Sequence, residues 1–354
     1  MRALFHSPYF DSLGGGELYV LTLIEAMQKS GYQVDLVWHE QNDLRAQAYN
    51  KFSLSLKDFG LEPYIFTQSP LSRYTKLKKY DVVFSVSDGS LPWLIGGKNN
   101  IIHFQVPFHN ISGNSIVNKL KEKYIHHYIT NSQFTKKHID HEFGIQSKVI
   151  YPPINDFESI NHSKENQIIY VGRFSTLLQN KGHIQLIEAF KKLYNSNAKN
   201  YRLILAGSTE VGSDTLINEI KTDIQGFPIN IHLNPTFAQI KQLYQHSRFY
   251  WSLAGFGINE KISPEKCEHF GMSLVEAMSA GCIPLVINKG GFKEIITSES
   301  GYLVSSINEL VTQTQKIITD TSKQKILSKS AILRSRDFSK QIFINSFKTI
   351  IPTL

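Results

Sequence analysis

The sequence has little cysteine and no long apolar segment, and each lack removes a class of protein. Only two cysteines, Cys267 and Cys282, occur in 354 residues, and neither has the Cys-x-x-Cys or Cys/His spacing of a structural zinc site. No uninterrupted apolar run approaches the roughly 18 to 20 residues of a membrane-spanning helix. The amino terminus also lacks the apolar core of a secretory signal. We therefore expect a cytoplasmic protein without a disulfide framework.

The composition is that of a globular protein with an excess of positive charge. Hydrophobic residues make up 41% and charged residues 19%, and the formal net charge is +8. A chain of this length predicts about two domains. Basic patches at residues 73–79 and 118–124 would suit an anionic lipid or a phosphorylated ligand, although a solvated surface is the commoner explanation. RNP-like aromatics and zinc-finger spacing are both missing, so we expect no nucleic-acid partner.

Short apolar runs alternate with amphipathic segments along the whole chain. Runs such as "DVVFSVS", "IIYVG" and "YRLILAG" are typical of buried strands, whereas "GELYVLTLIEAMQKSG" and "HIQLIEAFKKLY" have helical periodicity. This alternation predicts parallel sheets covered by helices, as in doubly wound folds. The polar, proline-containing segment 151–167 predicts a linker. We therefore predict domains at 1–152 and 153–335.

The segment "PEKCEHFGMSLVEAMSAGCIPLV", residues 264–286, places two carboxylates around a predicted helix. We expect Glu268 in the loop before the helix, Ser273 as its amino-terminal cap, Glu276 in its first turns and Gly281 at its end. Gly271 would let the backbone approach a ligand closely, and exposed amides at a helix amino terminus bind hydroxyls or negative charge. Two carboxylates could then bind two hydroxylated parts of one ligand. The alternative is a helix glutamate and an unrelated surface glutamate.

The run "EHFGMSLVE", continued by "AMSAG", resembles the signature of retaining glycosyltransferases of family 4, which have the GT-B fold. The resemblance implies that Glu268 contacts the hydroxyls of a donor sugar, near the backbone amides of Phe270, Gly271 and Met272. It also implies that Glu276 binds the ribose hydroxyls of the nucleotide. In GT-B enzymes the final helix crosses back onto the first domain, so we expect residues of about 336–354 to do so.

A second motif, "YVGRFSTLLQNKGH", contains two cations that would meet at the edge of a sheet. Arg173 follows a predicted strand and Lys181 precedes a helix. Fixed cations there would stabilise the negative charge that grows on a leaving diphosphate. Family 4 enzymes have an equivalent Arg and Lys, although the seven residues between them here make a long loop. The alternative is a pair of solvated surface cations.

The first half of the chain has weaker signals. The glycines of "LGGGE", including Gly15 and Gly16, could bind a phosphate through their backbone amides. The segment is not a GxGxxG motif, and no acidic residue follows at the spacing of a dinucleotide-binding fold. Both facts disfavour a dehydrogenase. A flexible turn is the alternative. In "IIHFQVPFHN", His103 ends a predicted strand, and the resemblance implies a position near the donor sugar; otherwise it is an ordinary polar residue. His109 is a second choice.

Two further features leave alternatives open. Asn131 and Ser132 in "TNSQF" have either a ligand or a structural role. Gly290 and Gly291 in "KGGFKEI" make either a close backbone approach or a tight turn.

The predicted protein is an α/β enzyme of the GT-B type, with two Rossmann-like domains facing a cleft. The resemblance implies a retaining transfer of a hexose, mannose or similar, from a GDP- or UDP-sugar to a hydroxyl of a lipid-linked or polysaccharide acceptor. The motifs are nearest in style to mannosyltransferases of lipid-linked oligosaccharide synthesis. We expect no metal and no other cofactor, and a peripheral position on the inner face of a membrane. The alternatives are a nucleotide-sugar epimerase and a non-catalytic glycan-binding or scaffold protein.

Overall fold

The computed structural model describes residues 1–8, 10, 13–39, 43–157, 163–175, 180–196, 198–210 and 212–354. Two parts of predicted features, 158–162 in the linker and 176–179 between Arg173 and Lys181, lie outside these residues. The chain folds into two compact units. Unit one contains Met1–Pro153 and Lys340–Leu354, and unit two contains Ile154–Ser339.

Unit one is built on a parallel sheet of seven described strands in the order β3-β2-β1-β4-β5-β6-β7. The strands are β1 Arg2–His6, β2 Gln33–Val37, β3 Gly60–Leu61, β4 Val82–Val86, β5 Asn99–Phe104, β6 His127–Thr130 and β7 Lys148–Val149. Its helices are α1 Gly15–Lys29, α2 Leu44–Phe52, α3 Pro70–Leu77, α4 Ile116–Glu122, α5 Gln133–Phe143 and the last helix of the chain, α13 Lys340–Lys348.

The centre of this sheet is apolar because helices cover both of its faces. All five residues of β4 are buried, and Leu4 and Phe5 of β1 lie in register with Val83 and Phe84. The side chain of Tyr19 on α1 meets two rings of α13, with centroids 4.8 Å from Phe343 and 6.0 Å from Phe347. The last helix of the chain is therefore part of the core of unit one.

Unit two is built on a parallel sheet of six described strands in the order β10-β9-β8-β11-β12-β13. The strands are β8 Glu165–Val171, β9 Arg202–Gly207, β10 Ile229–Leu233, β11 Ser247–Ser252, β12 Ile283–Ile287 and β13 Tyr302–Val304. The helices are α6 His183–Asn195, α7 Asp214–Asp223, α8 Phe237–His246, α9 Met272–Ser279, α10 Phe292–Ile295, α11 Ile307–Ile318 and α12 Thr321–Ser335.

The predicted α/β class, with two doubly wound parallel sheets, is confirmed. The two-residue strands β3 and β7 were not predicted, because so short a stretch contains no measurable periodicity. Both cysteines are free and buried. Within the described ranges, every helix is too short or too polar to cross a bilayer.

Candidate active site

The order of strands in unit two indicates a candidate place for a ligand. From β8 the chain first adds β9 and β10 on one side and then returns to add β11, β12 and β13 on the other. The order therefore reverses between β8 and β11, and doubly wound folds bind ligands outside the carboxyl ends of the strands at such a switch point. Arg173 lies two residues after β8, and Glu268 lies in the connection from β11 to α9.

Lys181 and Glu268 form an ion pair at this point. Lys181 Nζ donates to Glu268 Oε2 at 2.9 Å, and their side chains are only 12% and 24% exposed. Burial alone would raise the pKa of Glu268, but the charge and hydrogen bond of Lys181, helped by His269 and Arg173, hold it below the ordinary value. Glu268 is therefore an ionised acceptor at neutral pH.

The loop that positions Lys181 is held against the end of β11. Asn180 Oδ1 accepts from the backbone N–H of Gly182 at 2.8 Å, and the Asn180 carbonyl accepts from Gly255 at 3.3 Å. Gly182 has φ +76°, and a Cβ there would lie 2.7 Å from the carbonyl oxygen of Leu253. A glycine is thus needed where the loop crosses this strand end.

The two glycines after β12 support the Glu268 loop from the other side. The N–H of Gly291 donates to the carbonyl of Glu268 at 2.8 Å. A Cβ on Gly290 would lie 2.2 Å from that same carbonyl oxygen, and one on Gly291 would lie 2.5 Å from Phe270 Cα. Gly290 and Gly291 therefore make the close backbone approach that the sequence left as one of two alternatives. The backbone that they approach is that of the Glu268 loop, and this contact fixes the position of Glu268.

Helix α9 begins at the site, and its cap differs from the prediction. Gly271, with φ +113°, occupies the cap position and Ser273 lies inside the first turn, so Ser273 as the cap was wrong. Its hydroxyl instead bonds the Tyr250 hydroxyl at 2.9 Å. Gly281 has φ +81° and ends the helix as predicted. The first amides of an α-helix lack intrahelical acceptors. In α9 the amide of Leu274 donates to the Gly271 carbonyl at 3.1 Å, which leaves the amides of Met272 and Ser273 as candidate donors.

Glu276 lies in the second turn of α9. Its Oε1 accepts from Asn155 Nδ2 at 3.2 Å, and Asn155 is only 7% exposed. This hydrogen bond orients the carboxylate from a residue at the start of unit two. Glu268 thus lies in the loop before α9 and Glu276 lies inside that helix.

Arg173 is more exposed than Lys181. Its Nη1 pairs with Glu210 Oε1 at 2.5 Å, with side chains 48% and 29% exposed. The backbone next to Arg173 crosses the end of β9 so closely that a Cβ on Gly207 would lie 1.9 Å from the Gly172 carbonyl oxygen. The strand end is thus fixed, while the guanidinium is exposed and paired with Glu210.

Two buried tyrosines lie on the strands beneath the pair. Burial raises the pKa of Tyr170 and of Tyr250, and the negative charge of Glu268 adds to the effect. Both phenols therefore stay neutral at physiological pH and add no negative charge near Glu268.

In unit one the glycine-rich turn meets two other strand ends. Gln105 Nε2 donates to the Gly16 carbonyl at 3.2 Å, and Asn131 Nδ2 donates to the Gln105 carbonyl at 3.0 Å. A Cβ on Gly16 would lie 2.2 Å from Gln105 Oε1, so any larger residue there would displace the Gln105 amide. Gly15 is the first residue of α1. Ser132 has a structural role, because its hydroxyl caps α5.

His103 does not lie where the resemblance placed it. Its side chain is fully buried in β5 and stacks on Tyr19, with centroids 4.1 Å apart. Burial lowers its pKa to about 3, although the backbone of Ile129 partly opposes this. The cause is the cover supplied by α1, which leaves the imidazole no surface through which to touch a sugar. His109 lies near the Glu142 carboxylate instead.

Several site residues were missed by sequence reasoning. Three of them hold predicted residues in place: Asn155 bonds Glu276, Glu210 pairs with Arg173, and Gln105 bonds Gly16. A single polar residue in a loop gives no periodic or motif signal. Glu260, in the loop after β11, accepts from the Gly290 N–H at 3.0 Å and pairs with Lys293 at 2.5 Å. Among the described residues, no three His, Cys, Asp or Glu side chains are grouped so that they could hold a metal ion.

Comparison with known families gives matches over both units. The model of the family described as "Glycosyl transferases group 1" matches residues 153–334, just over half of the chain. The model described as "Glycosyltransferase Family 4" matches residues 13–156. The first match contains Arg173, Lys181, Glu268 and Glu276.

Curated relatives include proteins named GDP-Man:Man(3)GlcNAc(2)-PP-Dol alpha-1,2-mannosyltransferase. The Xenopus laevis protein is 26% identical over 273 residues, which are 67% of this chain and 53% of that protein. The human protein is 27% identical over 251 residues, or 64% and 48%, and that of Dictyostelium discoideum is 24% identical over 247 residues, or 64% and 47%. The chain spans about half the length of these relatives.

Similar solved structures share the fold at low sequence identity. HepE of Anabaena in complex with UDP has a TM-score of 0.77 at 18% identity, with both chains fully covered. A glycosyltransferase of Rickettsia africae has a TM-score of 0.73 at 18% identity, covering 99% of this chain and 98% of its own. Sucrose-phosphate synthase of Thermosynechococcus elongatus has a TM-score of 0.69 at 16% identity, with the same coverage. The predicted GT-B fold is confirmed.

Proposed function

The chain belongs to the family of group 1 glycosyl transferases, and on that premise we propose that it transfers a hexose from a nucleotide diphosphate sugar to a hydroxyl of an acceptor. The main support is the ion pair of Lys181 and Glu268 at the switch point of unit two, 2.9 Å between Nζ and Oε2. An ionised carboxylate beside a cation and a helix start suits a ligand with both hydroxyls and a diphosphate.

Each donor group has a candidate partner in unit two. In this proposal Glu268 accepts hydrogen bonds from sugar hydroxyls, next to the backbone of Phe270, Gly271 and Met272. Glu276, oriented by Asn155, accepts from the ribose hydroxyls. Unit two is then the donor domain. Unit one is the acceptor domain, with Gly15 and Gly16 on the acceptor or diphosphate side.

The cations serve the chemical step. As the bond between the anomeric carbon and the diphosphate oxygen breaks, negative charge grows on the leaving group, and Lys181 and Arg173 neutralise it. The acceptor hydroxyl forms the new bond on the same face and gives its proton to a diphosphate oxygen, so configuration is retained. No carboxylate acts as a nucleophile, in contrast to retaining glycosidases. His103 is left out of this step because it is fully buried.

We propose GDP-mannose as the donor, since the curated relatives are named as enzymes of GDP-mannose and of lipid-linked glycans. HepE binds UDP, so a UDP-sugar is the competing donor. Calorimetric titration with GDP, UDP, GDP-mannose and UDP-glucose tests this. We expect the guanine ligands to bind best and Lys181→Ala to weaken them by about tenfold or more. If none of the four ligands binds, the transferase proposal fails.

The acceptor decides between enzyme classes. With donor and a lipid-linked or polysaccharide acceptor, a transferase forms a new glycoside, and NMR of the anomeric centre reports retention. An epimerase would instead change the donor sugar without any acceptor, and a scaffold protein would do neither. Glycoside formation that Glu268→Gln abolishes supports the proposal, and either other outcome contradicts it.

We also propose that α4 of unit one lies against an anionic membrane, where a lipid-linked acceptor is held. The apolar side chains of Ile116, Val117 and Leu120 are 83%, 48% and 46% exposed, and Lys123 is exposed beside them. Lys119 is not available, because it bonds the carbonyls of Phe143 and Gly144 at 3.0 and 3.2 Å. Apolar side chains among lysines are typical of peripheral membrane contacts.

Sedimentation with vesicles containing phosphatidylglycerol tests the membrane proposal. The double variant Ile116→Asp and Leu120→Asp should bind the vesicles about tenfold more weakly. Each change removes apolar area that the membrane would bury and adds a negative charge that the anionic lipid repels. Ile342→Asp, at a side chain 46% exposed on α13, is the control. Equal binding by both variants and the unchanged protein would contradict the assignment of α4.

A further inference from the structure

A cavity in unit two lies at the amino ends of the strands, on the edge opposite the candidate active site. Its volume is about 530 Å³, and it is bounded by the starts of β8, β11 and β12 and by one face of α12. Five cationic side chains line it, and no carboxylate does so among the described residues. The cations are Lys164, Arg248, Lys325, Lys329 and Arg336.

Two of these cations have no compensating partner among the described residues. Lys325 and Lys329 lie one turn apart on α12, are exposed, and make no hydrogen bond or ion pair with any described residue. Like charges at this spacing destabilise a helix slightly. An anion between them would relieve that repulsion.

The inner wall is rigid. Arg248 Nη1 donates to Gln324 Oε1 at 2.7 Å, and its Nη2 donates to the Lys164 carbonyl at 2.7 Å. Its Nε is buried without an acceptor among the described residues. Lys164 Nζ donates to the Tyr244 carbonyl at 2.9 Å. Both cations are thus held by the protein and add fixed positive charge to the inner wall of the cavity.

The cavity is also partly apolar. Ile283, Ile332 and Leu333 contribute to its lining, and Leu333 is 50% exposed at the rim. A small inorganic anion would leave this apolar surface in contact with water, whereas an anion joined to an apolar group would cover it.

We propose that this cavity binds a phosphate group attached to an apolar moiety, with Lys325 and Lys329 on the phosphate and Leu333 against the apolar part. A phosphate fits better than a carboxylate because it offers more charge and more acceptor oxygens to several cations. Since the cavity and the candidate active site lie at opposite ends of the strands, this inference does not depend on the proposed transferase activity.

The test compares two charge-reversal pairs in the full chain. Lys325→Glu with Lys329→Glu changes the cavity, and Lys199→Glu with Lys316→Glu makes the same change in net charge at exposed positions of unit two that do not line it. The probe is dihexanoyl phosphatidic acid below its micelle concentration, titrated with the donor site filled by saturating GDP and UDP. We expect the cavity pair to bind about tenfold more weakly than the unchanged protein and the control pair to bind within about twofold of it.

Two further binding experiments identify the source of the phosphate. Inorganic phosphate tests the contribution of the apolar part, and we expect it to bind more weakly than the lipid. Vesicles of phosphatidylcholine with phosphatidic acid test a membrane source: a loss confined to the cavity pair assigns the ligand to a lipid headgroup. A loss seen only with the monomeric lipid assigns it to a free amphiphilic phosphate. Equal binding by the cavity and control pairs, or no binding by the unchanged protein, overturns the proposal.

Discussion

Replacing Lys181 with methionine should destabilise unit two strongly at neutral pH and much less in acid. Breaking a fully buried ion pair by removing one partner costs about 3 to 5 kcal/mol. Here the side chains of Lys181 and Glu268 are 12% and 24% exposed, so solvent screens part of the orphaned charge. We therefore expect a loss of about 2 to 3 kcal/mol in the free energy of unfolding at pH 7.

The sign of the pH dependence follows from the pKa of Glu268. In the unchanged protein the pKa of Glu268 lies below its ordinary value. Ionised Glu268 therefore stabilises the folded state at any pH above the ordinary pKa, and this stabilisation is lost as the pH falls through the lower pKa of the folded state. Without Lys181, burial is the main influence left and raises the pKa. The difference between the two proteins should therefore grow from about pH 4 to pH 7.

Urea unfolding followed by the fluorescence of Trp251 measures this in unit two, because Trp251 is fully buried in β11. Trp38→Phe and Trp93→Phe remove the other two tryptophans from the signal. Lys192→Met is the matched control: its pair with Glu188 is 46% and 51% exposed and should be worth less than about 0.5 kcal/mol.

Adding Glu268→Gln to Lys181→Met removes the orphaned carboxylate and should recover part of the loss. The reasoning is refuted if Lys181→Met behaves like Lys192→Met, or if its effect does not change with pH.

Three further outcomes are expected. Gly271→Ala should lower the free energy of unfolding by about 2 to 4 kcal/mol in thermal unfolding, because the φ of Gly271 is +113° and the new Cβ would lie 2.7 Å from a phenylalanine ring. Gly257→Ala is the control: Gly257 has φ +77° and open space around it, so this change should cost only about 1 to 2 kcal/mol. Arg173→Ala should weaken nucleoside diphosphate binding about tenfold in calorimetry with little loss of stability, whereas Glu210→Gln should not weaken binding. Between pH 6.5 and pH 5 the unchanged protein should lose about 2 kcal/mol more than His103→Phe in denaturant titrations, because His103, with a folded pKa of about 3, takes up a proton only on unfolding. His183, with a folded pKa of about 4, should contribute a similar loss to both proteins.

The sequence predicted the fold, and the positions of Glu268 and Glu276 relative to one helix, because these signals are local. Alternating strands and helices need only periodicity, and the spacing of Glu268 and Glu276 fixes both relative to one helix. The ion pair of Lys181 with Glu268 was not predicted, since it joins residues 87 positions apart and depends on the order of β8 and β11 in the sheet.

The burial of His103 illustrates the opposite case. A histidine at the end of a strand is predicted to reach the edge of the sheet, and the local sequence contains nothing against this. Tyr19 on α1 covers the ring, and α13 packs on Tyr19 in turn. The exposure of one side chain was therefore decided by helices at both ends of the chain.

The place of α13 in unit one also has a consequence for synthesis. Phe343 and Phe347 are 2% and 0% exposed in that unit, yet the ribosome makes them after all of unit two. At ~5 to 20 residues per second, the nascent amino-terminal sheet waits roughly 10 to 40 s with Tyr19 uncovered. Unit two, which is continuous in sequence, can finish folding first. A chaperone that binds apolar surface during translation should therefore engage unit one, and it should be released only when the last helix emerges.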